Sequence, residues 1–380
     1  MHRLIRILPR GLRRFLKSLP GATRLRDAFY TTASGQAPAA GSLRPVVYLP
    51  TWLEWDEMKQ RPQYLLEAFA RAGHEVWFVD PRLSTPRTTG SGVHLVPSLR
   101  PTPGADVIIY THFAPTRALV GRYQRPVVVY DLLDDLSIYD PDETHLPEHR
   151  RVRYHHRDLV ADADVVVVSS RVLAAKHRPE RDDLILVENG VDLDLFTPDG
   201  PQAADLGPGP VVGYHGAISP WFDFSLMAEV AARRPELSFV LVGPVDDRVA
   251  GDAEALGRLP NVTILPARPA VEVAAFVRGF DVGLVPFVVD EMTRGVTPLK
   301  MFEYLASAVP VVATPLPACV DHPAVDVADD AEGFASAVDA ALRLDPARRA
   351  ALRHSAEEAS WDRRLRPLLD RLDALGLRRV

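Results

Sequence analysis

From Pro45 onward, short runs of consecutive apolar, largely β-branched residues alternate with longer stretches whose apolar positions recur at helical spacing. Consecutive apolar residues suit strands covered on both faces; helical spacing suits helices that bury one side. In the first half this pattern predicts strands at Val46–Leu49, Val76–Val79, Val93–Val96, Asp106–Tyr110, Val127–Tyr130, Val165–Ser169 and Leu184–Val187. Helices are predicted over Pro62–Ala72, ended by Gly73, and over the polar stretch Glu148–Ala161. A second series predicts strands at Val211–Tyr214, Ser238–Val242, Val262–Leu265, Val282–Pro286 and Val309–Ala313, with helices at Phe224–Arg234, Ala270–Arg278 and Leu299–Ala306. From Ala331 the chain reads as mostly helical. The expected class is α/β, with two Rossmann-like, doubly wound domains facing a central cleft. Ligands of such sheets favour the carboxyl ends of the strands.

Length changes this picture little: 380 residues exceed the usual single domain. The Pro- and Gly-dense stretch 197–210 is the expected boundary, giving an N-terminal domain over 45–200 and a second over 208–358. A hydrophobic content of 47% and a charged content of 25% are those of a soluble globular chain. The net charge of −6 argues against a general nucleic-acid binder. The single cysteine, Cys319, permits no intrachain disulfide and fits a reducing compartment. No apolar run approaches the ~20 residues of a membrane span.

Residues 1–44 form a basic extension and linker. Eight Lys and Arg residues (Arg3 to Arg26) meet no acidic residue before position 27, and Leu4, Leu8, Leu12, Phe15 and Leu19 recur at helical spacing. That pattern reads either as an amphipathic segment lying on an anionic membrane or as a disordered basic arm. The expected location is cytoplasmic, at the inner membrane face if the segment binds there.

The candidate chemistry concentrates near strand ends. Pro298 suits a first helical position, and a helix starting there presents free amides and the positive end of a dipole to an anion. Lys300 adds a cation, and Glu303 shares its face. Amides and a lysine for phosphates, with a carboxylate for ribose hydroxyls, suit a nucleoside diphosphate; a plain surface helix is the alternative. Gly213-Tyr214-His215-Gly216 follows a strand and permits close backbone approach, without being the dinucleotide-binding glycine pattern. In the first half, Trp52 and Trp55 either stack on a sugar or lipid-linked acceptor or pack as core or lid. Arg61 and Gln63 either cap their helix or bind the acceptor. His112 and Asp134, each just past a strand, are candidates to orient or deprotonate an acceptor hydroxyl. Asp162-Ala163-Asp164 precedes a buried strand and reads as a turn, not a metal site.

Together these stretches resemble the glycosyltransferases of the GT-B fold, specifically the retaining family 4 (group 1). The resemblance runs from about residue 45 to 375. It is carried by Ala163–Ser170, Val187–Asp192 with Phe196, Gly213–Ser219, Phe239–Pro244, Asp281–Phe287, Pro298–Ala306 into Val309–Val312, and Ser360–Asp362. It implies transfer of a sugar from a nucleotide-sugar, UDP- or GDP-linked, to an acceptor hydroxyl of a sugar, lipid-linked or small molecule, in polysaccharide or glycoconjugate synthesis. It further implies no cofactor and no metal, and a segment 359–380 that crosses back to the first domain. Gly216, Ser219, Arg294, Pro298, Leu299 and Lys300 would then face the diphosphate, and Glu303 the ribose. There are two departures. The family carries a second glutamate eight positions before the first, where this chain has Gly295, with Asp290 or Glu291 as replacements. The basic residues usual after the glycine turn are absent from Ser219-Pro220-Trp221-Phe222-Asp223, leaving Arg294 or Lys300 to substitute. A nucleotide-sugar epimerase and a non-catalytic nucleotide-sugar or glycan binder are the alternative readings.

Overall fold

A computed structural model describes residues 41–51, 53–99, 106–135, 147–204 and 206–380. The basic segment up to residue 40 and Trp52 lie outside the described residues. The chain divides into two compact units. Of the described residues, one comprises those within 41–55, 60–188 and 362–380; the other comprises those within 56–59 and 189–361. The Pro- and Gly-dense stretch 197–210 therefore lies inside the second unit, and the division falls at Glu188/Asn189.

The first unit holds an eight-stranded sheet. Its strands are β1 (Val46–Tyr48), β2 (Val76–Val79), β3 (Arg87–Thr88), β4 (Val93–Val96), β5 (Ile108–Thr111), β6 (Val127–Leu132), β7 (Val165–Val168) and β8 (Ile185–Leu186). Their order is β3-β4-β2-β1-β5-β6-β7-β8. Only β3 is antiparallel, paired with β4. Helix Arg61–Arg71 begins with a capping box in which the Gln63 side chain accepts the Gln60 amide at 2.9 Å. Residues 362–380, containing most of helix Trp361–Ala374, belong to this unit, where Arg71 pairs with Asp362 and Arg371 with Asp183.

The second unit holds a six-stranded, all-parallel sheet: β9 (Val211–His215), β10 (Ser238–Val242), β11 (Val262–Leu265), β12 (Val282–Val285), β13 (Val311–Ala313) and β14 (Val325–Val327). The order is β11-β10-β9-β12-β13-β14. One continuous apolar core joins both faces of this sheet to its helices. Among the described residues no helix is long and apolar enough to cross a membrane.

Two local expectations change. Pro298 caps the helix instead of opening it: its ψ of 121° is extended, so the helix runs Leu299–Ala306. The following strand starts at Val311, because the Val309 amide is spent on Tyr304 O (2.9 Å) and the Ala308 amide on Leu305 O (3.0 Å). These two bonds make a Schellman C-cap, with Ala308 at a left-handed φ of 58° where glycine is usual.

Candidate functional site

In the second unit the strand order reverses between β9 and β12: β10 and β11 follow on one side of β9, β12 to β14 on the other. Doubly wound sheets bind ligands where the order reverses, at the carboxyl ends of the strands. β9 ends at His215, and the chain turns through Gly216 with φ 118°. The Gly216 amide donates to Val242 O at 2.9 Å. Its carbonyl oxygen would lie 1.9 Å from a Cβ at position 243, so only Gly243 admits this turn.

Helix Leu299–Ala306 ends its N-terminus at the same place. It has no side-chain cap and no acidic residue in its first turn; the Met301 amide turns back to Pro298 O at 3.3 Å, which leaves the Leu299 and Lys300 amides to an outside acceptor. Asn189 tethers the approach, donating from its side chain to Thr297 O at 2.6 Å. Lys300 extends from the first turn against Gly216: a Cβ there would meet Lys300 Cε at 3.1 Å and Nζ at 3.3 Å. The ammonium sits 4.8 Å from the Tyr214 ring centroid and 4.6 Å from that of Phe287. Burial pushes the Lys300 ammonium down to about 8, partly offset by the charges of Glu303 and Cys319. The residue is half-buried, so water still reaches part of the side chain. One turn on, buried Glu303 brings Oε2 to 3.1 Å from His215 Nε2.

The other donor-side candidates are placed less closely. Leu299 opens the helix and Pro298 is buried behind it. Ser219 is buried in the turn after Gly216, its carbonyl accepting the Phe222 amide at 2.8 Å. Arg294 is exposed at the end of the short helix Glu291–Arg294. Among the described residues no hydrogen bond or ion pair links it to Lys300 or Glu303, so Lys300 is the cation brought to the glycine turn. Asp290 caps that short helix, accepting the Thr293 amide at 2.8 Å, and Gly295 ends it.

In the first unit the order reverses between β1 and β5. Tyr48, Tyr110 and His112 gather at those strand ends. His112 Nδ1 lies 2.8 Å from the Tyr48 hydroxyl, and burial pushes the imidazole down to about 4, holding it neutral at ordinary pH. Arg61 is buried and bidentate on Asp131, with both contacts 2.9 Å, and the Tyr110 hydroxyl donates to the same carboxylate. Gln63 serves the helix cap, and Trp55 packs edge-on to Phe78 at 5.2 Å. Asp134 stays exposed; the surrounding protein, then the charges of Asp131 and Asp135, raise its pKa. Of the three carboxylates in and just after β6, Asp131 is taken by Arg61 and Tyr110, and Asp135 accepts from Lys176. Sequence reading passed over Tyr48, Tyr110 and His215. Their signal was position alone: each ends, or nearly ends, a strand beside a point where the order reverses. Among the described residues no group of three or more His, Cys, Asp or Glu side chains is placed to hold a metal ion.

Two parallel-sheet units of this kind constitute the GT-B glycosyltransferase fold, and solved structures share it. Sucrose-phosphate synthase from Thermosynechococcus elongatus matches with a TM-score of 0.67 at 16% identity, over 88% of this chain and 99% of that one. Anabaena HepE, in complex with UDP and glucose, matches with a TM-score of 0.65 at 13% identity, over 88% and 100%. Within the chain, residues 209–343 match the family described as Glycosyl transferases group 1, a stretch that includes Gly216, Lys300 and Glu303. Over 213 residues the chain is 33% identical to TuaH of Bacillus subtilis (strain 168), provisionally named a teichuronic acid biosynthesis glycosyltransferase; the match covers 52% of this chain and 53% of that protein. Over 229 residues it is 30% identical to a D-inositol 3-phosphate glycosyltransferase of Mycobacterium sp. (strain JLS), covering 53% and 50%. The chain spans about half the length of these curated relatives.

Proposed function

We propose that this protein is a glycosyltransferase that moves a sugar from a nucleoside diphosphate to an acceptor hydroxyl. The observation that carries the reading is the meeting of three features at the β9 end: the Gly216 turn, the Lys300 ammonium against it, and the uncapped start of helix Leu299–Ala306. Each suits a diphosphate, and together they neutralise one without a bound cation. Glu303, one turn along, is set for the ribose hydroxyls. Lys300 would supply the positive charge that the sequence lacks after the glycine turn, stabilising the leaving diphosphate as the glycosidic bond breaks. Transfer proceeds with retained anomeric configuration in this reading, as the family resemblance implies, and without a metal. The named relatives support a role in polysaccharide or glycoconjugate synthesis. On the other unit His112, neutral and bound to Tyr48, serves better as a hydrogen-bonding group than as a base.

One observation favours a second reading. Gly295 stands where the family's other glutamate contacts the sugar, so a binder without turnover would need no change elsewhere. A thermal-shift screen of UDP-, GDP-, ADP- and dTDP-sugars, followed by transfer assays with and without chelator, separates the two. At a hundredfold excess over Kd a bound donor adds about 2.7 kcal/mol to stability. A donor that stabilises the fold and is turned over in chelator supports transfer. Stabilisation without turnover across an acceptor panel supports the binder, and no stabilisation by any of the four removes both.

A further inference from the structure

His215 ends β9 with its side chain 9% exposed, and Nε2 lies 3.1 Å from Glu303 Oε2. Two aromatic rings hold the imidazole. It stacks on Phe196 at a centroid distance of 6.2 Å and meets Tyr304 edge-on at 5.2 Å. The residue's own backbone amide donates to the Tyr304 hydroxyl at 3.1 Å. Tyr304 neighbours Glu303 on the same helix, so strand end and helix are locked at two adjacent points. Nε2 itself is shielded from water, and its approach to the carboxylate is close without being aligned as a hydrogen bond. A buried polar nitrogen left in that state costs free energy, which a small rotation of the carboxylate recovers. Glutamate has three side-chain torsions and, left alone, holds a carboxylate loosely; reading a pair of vicinal hydroxyls requires it in one plane. Groups behind a binding residue commonly supply that constraint.

We propose that His215 is a positioning residue for Glu303: its Nε2–H holds Oε2 and turns the carboxylate plane toward the vicinal hydroxyls of a ribonucleoside diphosphate, making the site selective for ribose over 2′-deoxyribose. This rests on the reading of Glu303 as the ribose contact. It assigns His215 no contact with phosphate, sugar or base. The diphosphate end of the ligand, facing Lys300 and the helix amides, is therefore indifferent to the imidazole.

The test takes whichever of UDP, GDP and ADP raises the melting temperature most, and titrates it, its 2′-deoxy counterpart and inorganic pyrophosphate by calorimetry. The proteins are wild type, His215→Ala, His215→Gln and Glu303→Gln. Wild type should prefer the ribonucleotide. His215→Ala should weaken that ligand roughly tenfold, the scale of one hydrogen bond to a charged group, while leaving the 2′-deoxy ligand and pyrophosphate unchanged. His215→Gln keeps an N–H donor at similar reach and should restore most of the preference. A merely structural histidine would instead shift all three ligands together. If His215→Ala does not fold, His215→Asn, too short to reach Glu303, replaces it against His215→Gln. Undiminished ribose preference in His215→Ala, with that preference lost in Glu303→Gln, overturns the role of His215 alone. Undiminished preference in Glu303→Gln overturns the ribose reading and this inference with it, as does the absence of stabilisation by all three nucleotides.

Discussion

Lys300→Met separates stability from binding, and its magnitude follows from the surroundings of the ammonium. In the unfolded chain the group titrates at its ordinary 10.5; in the fold, burial pushes it down to about 8. Below pH about 8 both states hold the proton, and the folded state carries the whole desolvation cost. Between about 8 and 10.5 the unfolded chain keeps a proton that the folded one has released, so stability rises with pH through that window. Taken whole, the depression corresponds to about 3 kcal/mol at neutral pH. Partial exposure reduces this to on the order of 2 kcal/mol. Contact with the Tyr214 and Phe287 faces offsets about 1 kcal/mol of that. Methionine has similar length, carries no charge and packs well on aromatic rings. Lys300→Met should therefore stabilise the fold by about 1 kcal/mol near pH 7, a rise of roughly 2–4 °C in melting temperature. It should at the same time weaken nucleoside diphosphate binding by at least about tenfold through loss of a charge-assisted contact. Wild-type affinity should also fall between pH 7 and pH 9 as the free ammonium deprotonates, and the variant's should not. Thermal melts and calorimetry at the two pH values measure all of this. A variant that melts no higher than wild type and binds the diphosphate equally well would refute the reasoning.

Two further predictions concern stability alone. Ala308→Gly should stabilise by about 1 kcal/mol, because the left-handed φ of 58° strains alanine and suits glycine; an unchanged or lower denaturation midpoint would count against the Schellman geometry. Asp131→Asn should destabilise by roughly 3–5 kcal/mol, because it leaves the buried Arg61 guanidinium without its counter-charge; urea unfolding measures the loss, and a change under about 1 kcal/mol would show that the pair is not enclosed as described.

The parts of the fold that were legible in the sequence are those whose signal is local. β10 and helix Ala270–Arg278 stand at the residues the apolar pattern marks, because consecutive buried positions or a one-sided helical stripe leave few alternatives. β3 was invisible: it is two exposed residues, Arg87 and Thr88, paired to β4. The three residues of β14 lack an apolar run for the same reason, two of them being exposed. Pro298 illustrates the limit at element ends. Its φ of −66° fits both a first helical position and a cap, and ψ, which the sequence does not fix, decides between them.

The chain's pattern by itself determined that there are parallel sheets, where most strands lie, and that a helix with a lysine and a glutamate in its first turns follows β12. It could not determine the strand order. That β12 lies against β9, so that the Gly216 turn and the Leu299–Ala306 helix open at one point, is a product of packing between segments far apart in the chain. So is the partner of each charged group. Lys300 lies against Tyr214, Phe287 and Gly216, Glu303 faces His215, and Arg61 is taken by Asp131 instead of solvent. Periodicity records which face of an element is buried, a property of neighbouring residues. Which side chain meets which across tens of residues depends on how the strands are threaded into the sheet, and only the folded chain specifies that.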